Sequence, residues 1–140
     1  MSKCTVILSP EFAGNTGRRE ALAVGSVIPT GAFVQYAAGG FTLSTAAGIA
    51  QMITTENIAV AGDLDFVYAI GENVFAAALP NGALVNAKAV AATYAAGALL
   101  EIGAGGKLTA QAGSGIAVAV VPSFGGAVVS AGGSLLVQLL

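Results

Sequence analysis

Histidine and tryptophan are absent from this 140-residue chain, and cysteine occurs once. Without histidine there is no Ser-His-Asp or Cys-His relay and no imidazole to ligate a metal. Cys4, standing alone, can make neither an intrachain disulfide nor a zinc set; it reads as a small buried hydrophobe on a first strand, with an interchain bridge or a reactive thiol as the alternative. Nothing calls for an oxidising compartment. Charge is also scarce: Asp, Glu, Lys and Arg make up 9% of the residues, against about 25% in ordinary soluble domains. The five cations are Lys3, Arg18, Arg19, Lys88 and Lys107, and the net charge is −2. No basic field exists to draw in nucleic acid. Tyr36, Tyr68 and Tyr94 stand too far from the cations for base stacking and are read as core-edge or interface residues.

Long uninterrupted hydrophobic runs are missing as well. Thr5–Leu8 is too short for the core of a signal peptide, and Ser9-Pro10-Glu11 follows it. Residues 21–55 and 108–140 carry no charge, yet glycine, proline and hydroxyl residues interrupt both. Neither offers the roughly 20 continuous apolar residues that a spanning helix needs. No aromatic girdle suggests an outer-membrane barrel. A chain so poor in charge, with no membrane span, is expected to have part of its surface covered by protein.

What is present is apolar and small: 56% hydrophobic residues and 20 glycines. Short apolar runs alternate with glycine turns such as Gly39-Gly40, Gly105-Gly106, Gly125-Gly126 and Gly132-Gly133, and Pro80-Asn81-Gly82 is a further turn signal. Period-two alternation is readable in Ala32–Tyr36, Phe41–Ser44 and Lys107–Ala112. Ala98–Ile102, Gly103–Gly106 and Lys107–Ala112 together predict a hairpin. Gly115–Val121 and Ser134–Leu140 are apolar on both faces, as strands inside a sandwich or beneath a partner are. The alanine-rich stretches Thr45–Thr54 and Lys88–Ala96 could each form two helical turns, and at most one is expected to be helical. Residues 9–26 show no period and are expected to be an extended N-terminal arm or a solvated loop. Tyr36-Ala37-Ala38-Gly39 and Tyr94-Ala95-Ala96-Gly97 echo one another, which shared use as strand-to-turn segments explains without a repeat array. The fold expected is all-β, an antiparallel β-sandwich forming one domain over residues 1–140 with one core.

Chemistry-bearing constellations fail one by one. Asp63 and Asp65 with Glu72 lack the further ligands of a calcium loop, and no metal is expected. Gly103-Ala104-Gly105-Gly106-Lys107 resembles a phosphate loop until Glu101 and Leu108 are found where glycine and a hydroxyl residue are required. No cofactor and no catalytic residue is expected.

Glu72-Asn73-Val74-Phe75-Ala76-Ala77, Leu79-Pro80-Asn81-Gly82, Tyr94–Leu100, Ile102–Ala110 and Gly133–Val137 together resemble the small head-decoration, or cement, proteins of tailed bacteriophages. The resemblance covers mainly the C-terminal half. It implies a jelly-roll-like sandwich on the outer capsid surface of a virion, made in the host cytoplasm, that bridges neighbouring capsid subunits without chemistry. Its implied partners are the major capsid protein and a second or third copy of itself. Arg18, Arg19 and Glu20 are the candidates for capsid contact. Ile116, Val118, Val120, Leu135, Val137 and Leu139 are the candidates for the self-association seam, with ordinary core as their alternative. A β-sandwich binding module, for glycans or within a tail or fibre, is the other reading.

Overall fold

The computed structural model describes residues 6, 17–47, 52–57 and 63–140. These residues are all-β and built on antiparallel sheets, as the alternating pattern predicts and consistent with a β-sandwich. The first strands are β1 (Gly17–Leu22), β2 (Ile28–Pro29), β3 (Phe33–Ala37), β4 (Gly40–Leu43), β5 (Met52–Thr54), β6 (Val67–Tyr68) and β7 (Asn73–Ala78). They are followed by β8 (Leu84–Lys88), β9 (Ala92–Tyr94), β10 (Leu99–Ile102), β11 (Leu108–Ala110), β12 (Ala119–Val120), β13 (Ala127–Val129) and β14 (Ser134–Leu139). The predicted hairpin at residues 98–112 is β10–β11, with a short 3-10 turn at Ala104–Gly106.

Local structure is decided in two segments that the sequence leaves open. Among the described residues neither alanine-rich stretch is helical: Met52–Thr54 is β5, and Lys88 to Tyr94 is shared between the end of β8 and β9. Neither stretch has a helical apolar face, so partner strands decide. Within the presumed arm, Gly17–Leu22 forms β1 and pairs along its whole length with β7. Arg19 and Glu20, adjacent on β1 and both exposed, break the apolar alternation that would otherwise mark the strand. Residues 9–16 of that segment and Cys4 lie outside the described residues.

One five-stranded sheet has the order β1-β7-β5-β3-β4 and the other β8-β14-β12-β10-β11. Counted within its own sheet, each order is first, fifth, fourth, second, third. Each sheet also curls until its first strand reaches its third through a parallel bridge, Ala23 to Phe41 in one and Ala89 to Leu108 in the other. A two-stranded ribbon accompanies each, β2–β6 and β9–β13, inserted at the same two points of the strand sequence.

The correspondence reaches individual hydrogen bonds. Val24 N donates to Phe41 O (3.0 Å) and Val90 N to Leu108 O (2.8 Å). Gly31 N donates to Thr54 O (3.0 Å) and Gly97 N to Val121 O (2.8 Å). Thr54 N returns to Ala32 O and Val121 N to Ala98 O, both at 2.9 Å. Gly31 and Gly97 share a φ of 83°, a left-handed conformation that glycine reaches without steric cost. Ladder pairs match as well: Phe33 with Ile53 and Leu99 with Val120, Ile53 with Ala77 and Val120 with Gln138, Leu22 with Asn73 and Lys88 with Ser134. The ribbons differ by two residues in register, pairing Ile28 with Tyr68 but Tyr94 with Ala127. Among the described residues the chain is thus one seven-stranded unit written twice, within residues 17–79 and 83–140, with Pro80-Asn81-Gly82 as the turn between them.

The core follows the duplication and forms two clusters, where the chain length suggested one. Ala23, Ile28, Val34, Phe41, Met52, Tyr68, Val74 and Ala76 fill the first unit. Their counterparts Ala89, Tyr94, Leu100, Leu108, Ala119, Val129, Leu135 and Val137 lie together in the second. Each larger side chain contributes about 1.5–3 kcal/mol by its burial. The second cluster also takes in Phe33, Ile53 and Ala77 from the outer face of the first sheet, which is how the units pack together.

Candidate functional site

Buried polar groups concentrate where the units meet and where loops cross the first sheet. Thr54 Oγ1 donates to Pro29 O (2.7 Å) and accepts from Ala32 N (3.0 Å). Tyr68, wholly buried, donates its hydroxyl to Thr55 O at 2.7 Å, and burial pushes its pKa up to about 12. Tyr94 donates to Val90 O at 2.6 Å and is also pushed up by burial. Lys88 is the most informative of these residues. It is only 6% exposed, and its ammonium donates to Leu64 O (2.8 Å) in the first unit and Gly132 O (3.1 Å) in the second. Burial lowers its pKa, and the nearby Asp65 carboxylate works against that. Two carbonyls from different units replace the water that the charge loses. Lys88 thus acts as a clamp between the units, and no reactive partner faces it there.

The acidic residues singled out by spacing do not converge. Asp63 and Asp65 lie in a turn, where Asp63 Oδ1 accepts the amide of Asp65 at 2.9 Å. Glu72 Oε1 accepts from Ala69 N in another. Among the described residues no group of three potential ligands could hold a metal. Glu101 tucks its carboxylate against Gly115, where a Cβ would overlap it, and its Oε2 is buried without a hydrogen-bond partner among the described residues. The hydroxyl residues Thr45 and Ser114 line the same hollow as Glu101, and among the described residues no second acid does.

The candidate contact residues separate in a definite way. Arg19 and Glu20 are exposed on β1, beside a groove of about 360 Å³ that Tyr36, Phe41 and Met52 also line. Arg18 is on the same strand, opposite Ala77. Of the six proposed seam residues, Leu135 and Val137 are sealed in the second core, so no partner reaches them in the folded chain. Val118 and Leu139 pack against that core, and Val120 is half-buried on the outer face of the second sheet. Ile116, at 67% exposure, is the one of the six that stands free in the described surface. A strand that is apolar on both faces cannot reveal from sequence which face the neighbouring unit covers.

Sequence reasoning missed several exposed apolar residues. Leu22, Val27, Val67 and Ile70 in the first unit, and Leu99, Phe124 and Val128 in the second, are all open to solvent, as is Tyr36, which the sequence places at the core edge or an interface. Val67 and Val128 are counterparts on the two ribbons. No helix among the described residues is long and apolar enough to cross a membrane. No protein-family model matches the chain, and no curated protein does.

Proposed function

We propose that this chain is a non-enzymatic capsid decoration protein of a tailed bacteriophage. In this reading it binds the outside of the head and stabilises it by bridging neighbouring subunits of the major capsid protein. It associates with further copies of itself as a dimer or trimer, and a jelly-roll-like topology belongs to the same reading. The observation that carries it is the repeated apolar surface on a chain with 9% charged residues. Val67 and Val128 present the same kind of spot from equivalent ribbons. A partner built of repeating subunits suits such a doubled surface. A joint of ordinary size buries about 1,200–2,000 Å², and many joints over a closed shell add up through avidity. The resemblance supports the reading from the sequence side. The ribbons are the better candidates for head contact, and Arg18, Arg19 and Glu20 fit self-association instead.

The experiment is to add the purified protein to undecorated heads. A regular outer layer by electron microscopy and a raised melting temperature of the heads are expected. Heads that stay bare at saturating protein would defeat the proposal. A glycan-binding module is the second reading, and it is favoured by one feature: Tyr36 stands exposed beside Arg19 and Glu20 over the groove. A specific glycan-array signal that Tyr36→Ala abolishes would put it first.

A further inference from the structure

Counterpart positions in the two units differ in exposure, and they do so systematically. Phe33, Ile53 and Ala77 form a row of cross-strand neighbours on the outer face of the first sheet, and all three are buried. The second unit covers them together with Val6, which is buried in the same cluster and whose carbonyl accepts from Asn86 N at 2.8 Å. A Cβ on Gly106 would lie 2.4 Å from Phe33 O, and Gly31 O accepts from Lys88 N at 2.8 Å. The matching row on the second unit is Leu99, Val120 and Gln138, and Leu99 is 46% exposed where Phe33 is 5%.

The receiving surface shows the opposite asymmetry. On the second unit it is built from Val85, Asn86, Lys88 and Ile102 with the turn at Gly106, all buried. The counterparts on the first unit are Arg19, Glu20, Leu22 and Tyr36 with the Ala38-Gly39 turn, all exposed. Tyr36 is 64% exposed where Ile102 is 4%. This is the mouth beside the groove described above. The units are therefore joined head to tail, a row on the first meeting a mouth on the second. A joint of this kind uses two unlike surfaces, and the tandem leaves one of each unused.

We propose that a second copy of this chain fills the open mouth. The Leu99–Val120–Gln138 row of one copy seats on the Arg19–Tyr36 mouth of the next, repeating between chains the joint that already holds the two units together. The backbone is prepared for it. Ala23 N donates to Glu72 O on the β7 side, so the alternation of an antiparallel ladder turns the neighbouring Leu22 amide away from β7. Lys88 N is turned outward in the same way and reaches Gly31 O. Leu22 N then donates to Gly97 O of the neighbouring copy, and Gly97 is exposed with the same φ as Gly31. Each chain offers one row and one mouth, so association is head to tail, and an assembly of defined size is a ring in which the rotation between neighbours closes.

The inference deepens the self-association part of the proposed function and is independent of any capsid. Its test uses the full chain without heads. Light scattering behind size exclusion, at high micromolar concentration, is expected to give a discrete multiple of 13.5 kDa. Leu99→Glu disables the row and Tyr36→Glu the mouth, and each variant alone is expected to be a monomer with an unchanged β-sheet circular dichroism spectrum. Mixed in equal amounts, they are expected to form a 1:1 dimer that grows no further, because one intact row then meets one intact mouth. A two-fold symmetric dimer would not show this rescue. A monomeric wild type, variants that assemble like the wild type, or a mixture that stays monomeric would each overturn the proposal. If either glutamate variant fails to fold, Leu99→Ser and Tyr36→Ser carry the same logic at these exposed positions. Failure here with heads still decorated would remove the ring and leave the capsid reading standing.

Discussion

Adding one methyl group to either of two adjacent glycines measures how tightly the units are joined. Gly105 and Gly106 both lie in the left-handed region, with φ of 73° and 68°. Alanine pays for that conformation in either place, at roughly 1 kcal/mol. Their surroundings differ. A Cβ on Gly105 meets nothing within 4 Å, whereas one on Gly106 lies 2.4 Å from Phe33 O, 3.1 Å from Phe33 N and 3.2 Å from Leu43 Cδ2. The first two are backbone atoms of the other unit and cannot swing aside, so the joint itself must open. Overpacking of this kind costs a further 1–3 kcal/mol, taken here as about 2. Gly105→Ala is therefore expected to destabilise by about 1 kcal/mol and Gly106→Ala by about 3. With a urea slope of about 1.5 kcal/mol/M, the two midpoints should lie roughly 1.3 M apart, read by circular dichroism. Coincident midpoints would show that the close approach between the units contributes nothing to stability.

Four further outcomes follow from the buried groups and the exposure pattern. The Tyr68 hydroxyl has a folded pKa of about 12 against an unfolded value of 10.0, so the folded chain keeps a proton that the unfolded chain releases. Wild-type stability should be full below pH 10 and fall by roughly 2–3 kcal/mol as pH rises towards 12. Tyr68→Phe should lose about 1 kcal/mol at neutral pH through the orphaned Thr55 carbonyl, and its alkaline decline should shrink to what Tyr94, also raised by burial, supplies. Lys88→Met, which removes the shared ammonium but keeps the length of the side chain, should cost about 2 kcal/mol in urea unfolding. Thr54→Val removes an oxygen that serves Pro29 O and Ala32 N, and it should cost about 1–3 kcal/mol by the same assay. Leu135→Ala should cost about 2–5 kcal/mol, whereas Ile116→Ala should stay within about 0.5 kcal/mol. Equal effects would contradict their assignment to core and surface.

The sequence made the strands and turns legible wherever glycine punctuation met clean alternation. The β10–β11 hairpin, the reversal at Pro80-Asn81-Gly82 and strand β14 were all visible for that reason. The duplication was not. Its two halves keep Ala23 and Ala89, Val24 and Val90, Gly31 and Gly97, and Thr42 and Thr109 at matching places, but the core between them keeps only apolarity. Phe41 answers to Leu108, Met52 to Ala119 and Tyr68 to Val129. A longer β10–β11 turn and a shorter approach to β13 also shift the spacing within the second half. The audible echo at Tyr36 and Tyr94 is misleading, because the counterpart of Tyr36 is Ile102. Strand β1 was missed because its exposed Arg19 and Glu20 resemble loop residues, although the groups that define it are backbone amides paired to β7. The open mouth was illegible for a related reason. Tyr36 and Ile102 are both ordinary strand residues, and only the position of the neighbouring unit makes one buried and the other exposed.

The parallel bridges that tie Ala23 to Phe41 and Ala89 to Leu108 have a consequence for how this molecule stays out of trouble in a crowded cell. An ordinary open sheet ends in bare strands and commonly guards them with lysines, which repel stray chains before they can add on. Here each sheet bends round until its ends nearly meet, so little unguarded ladder is left to seed a fibre. That geometry lets a protein with so few ionised side chains avoid runaway stacking.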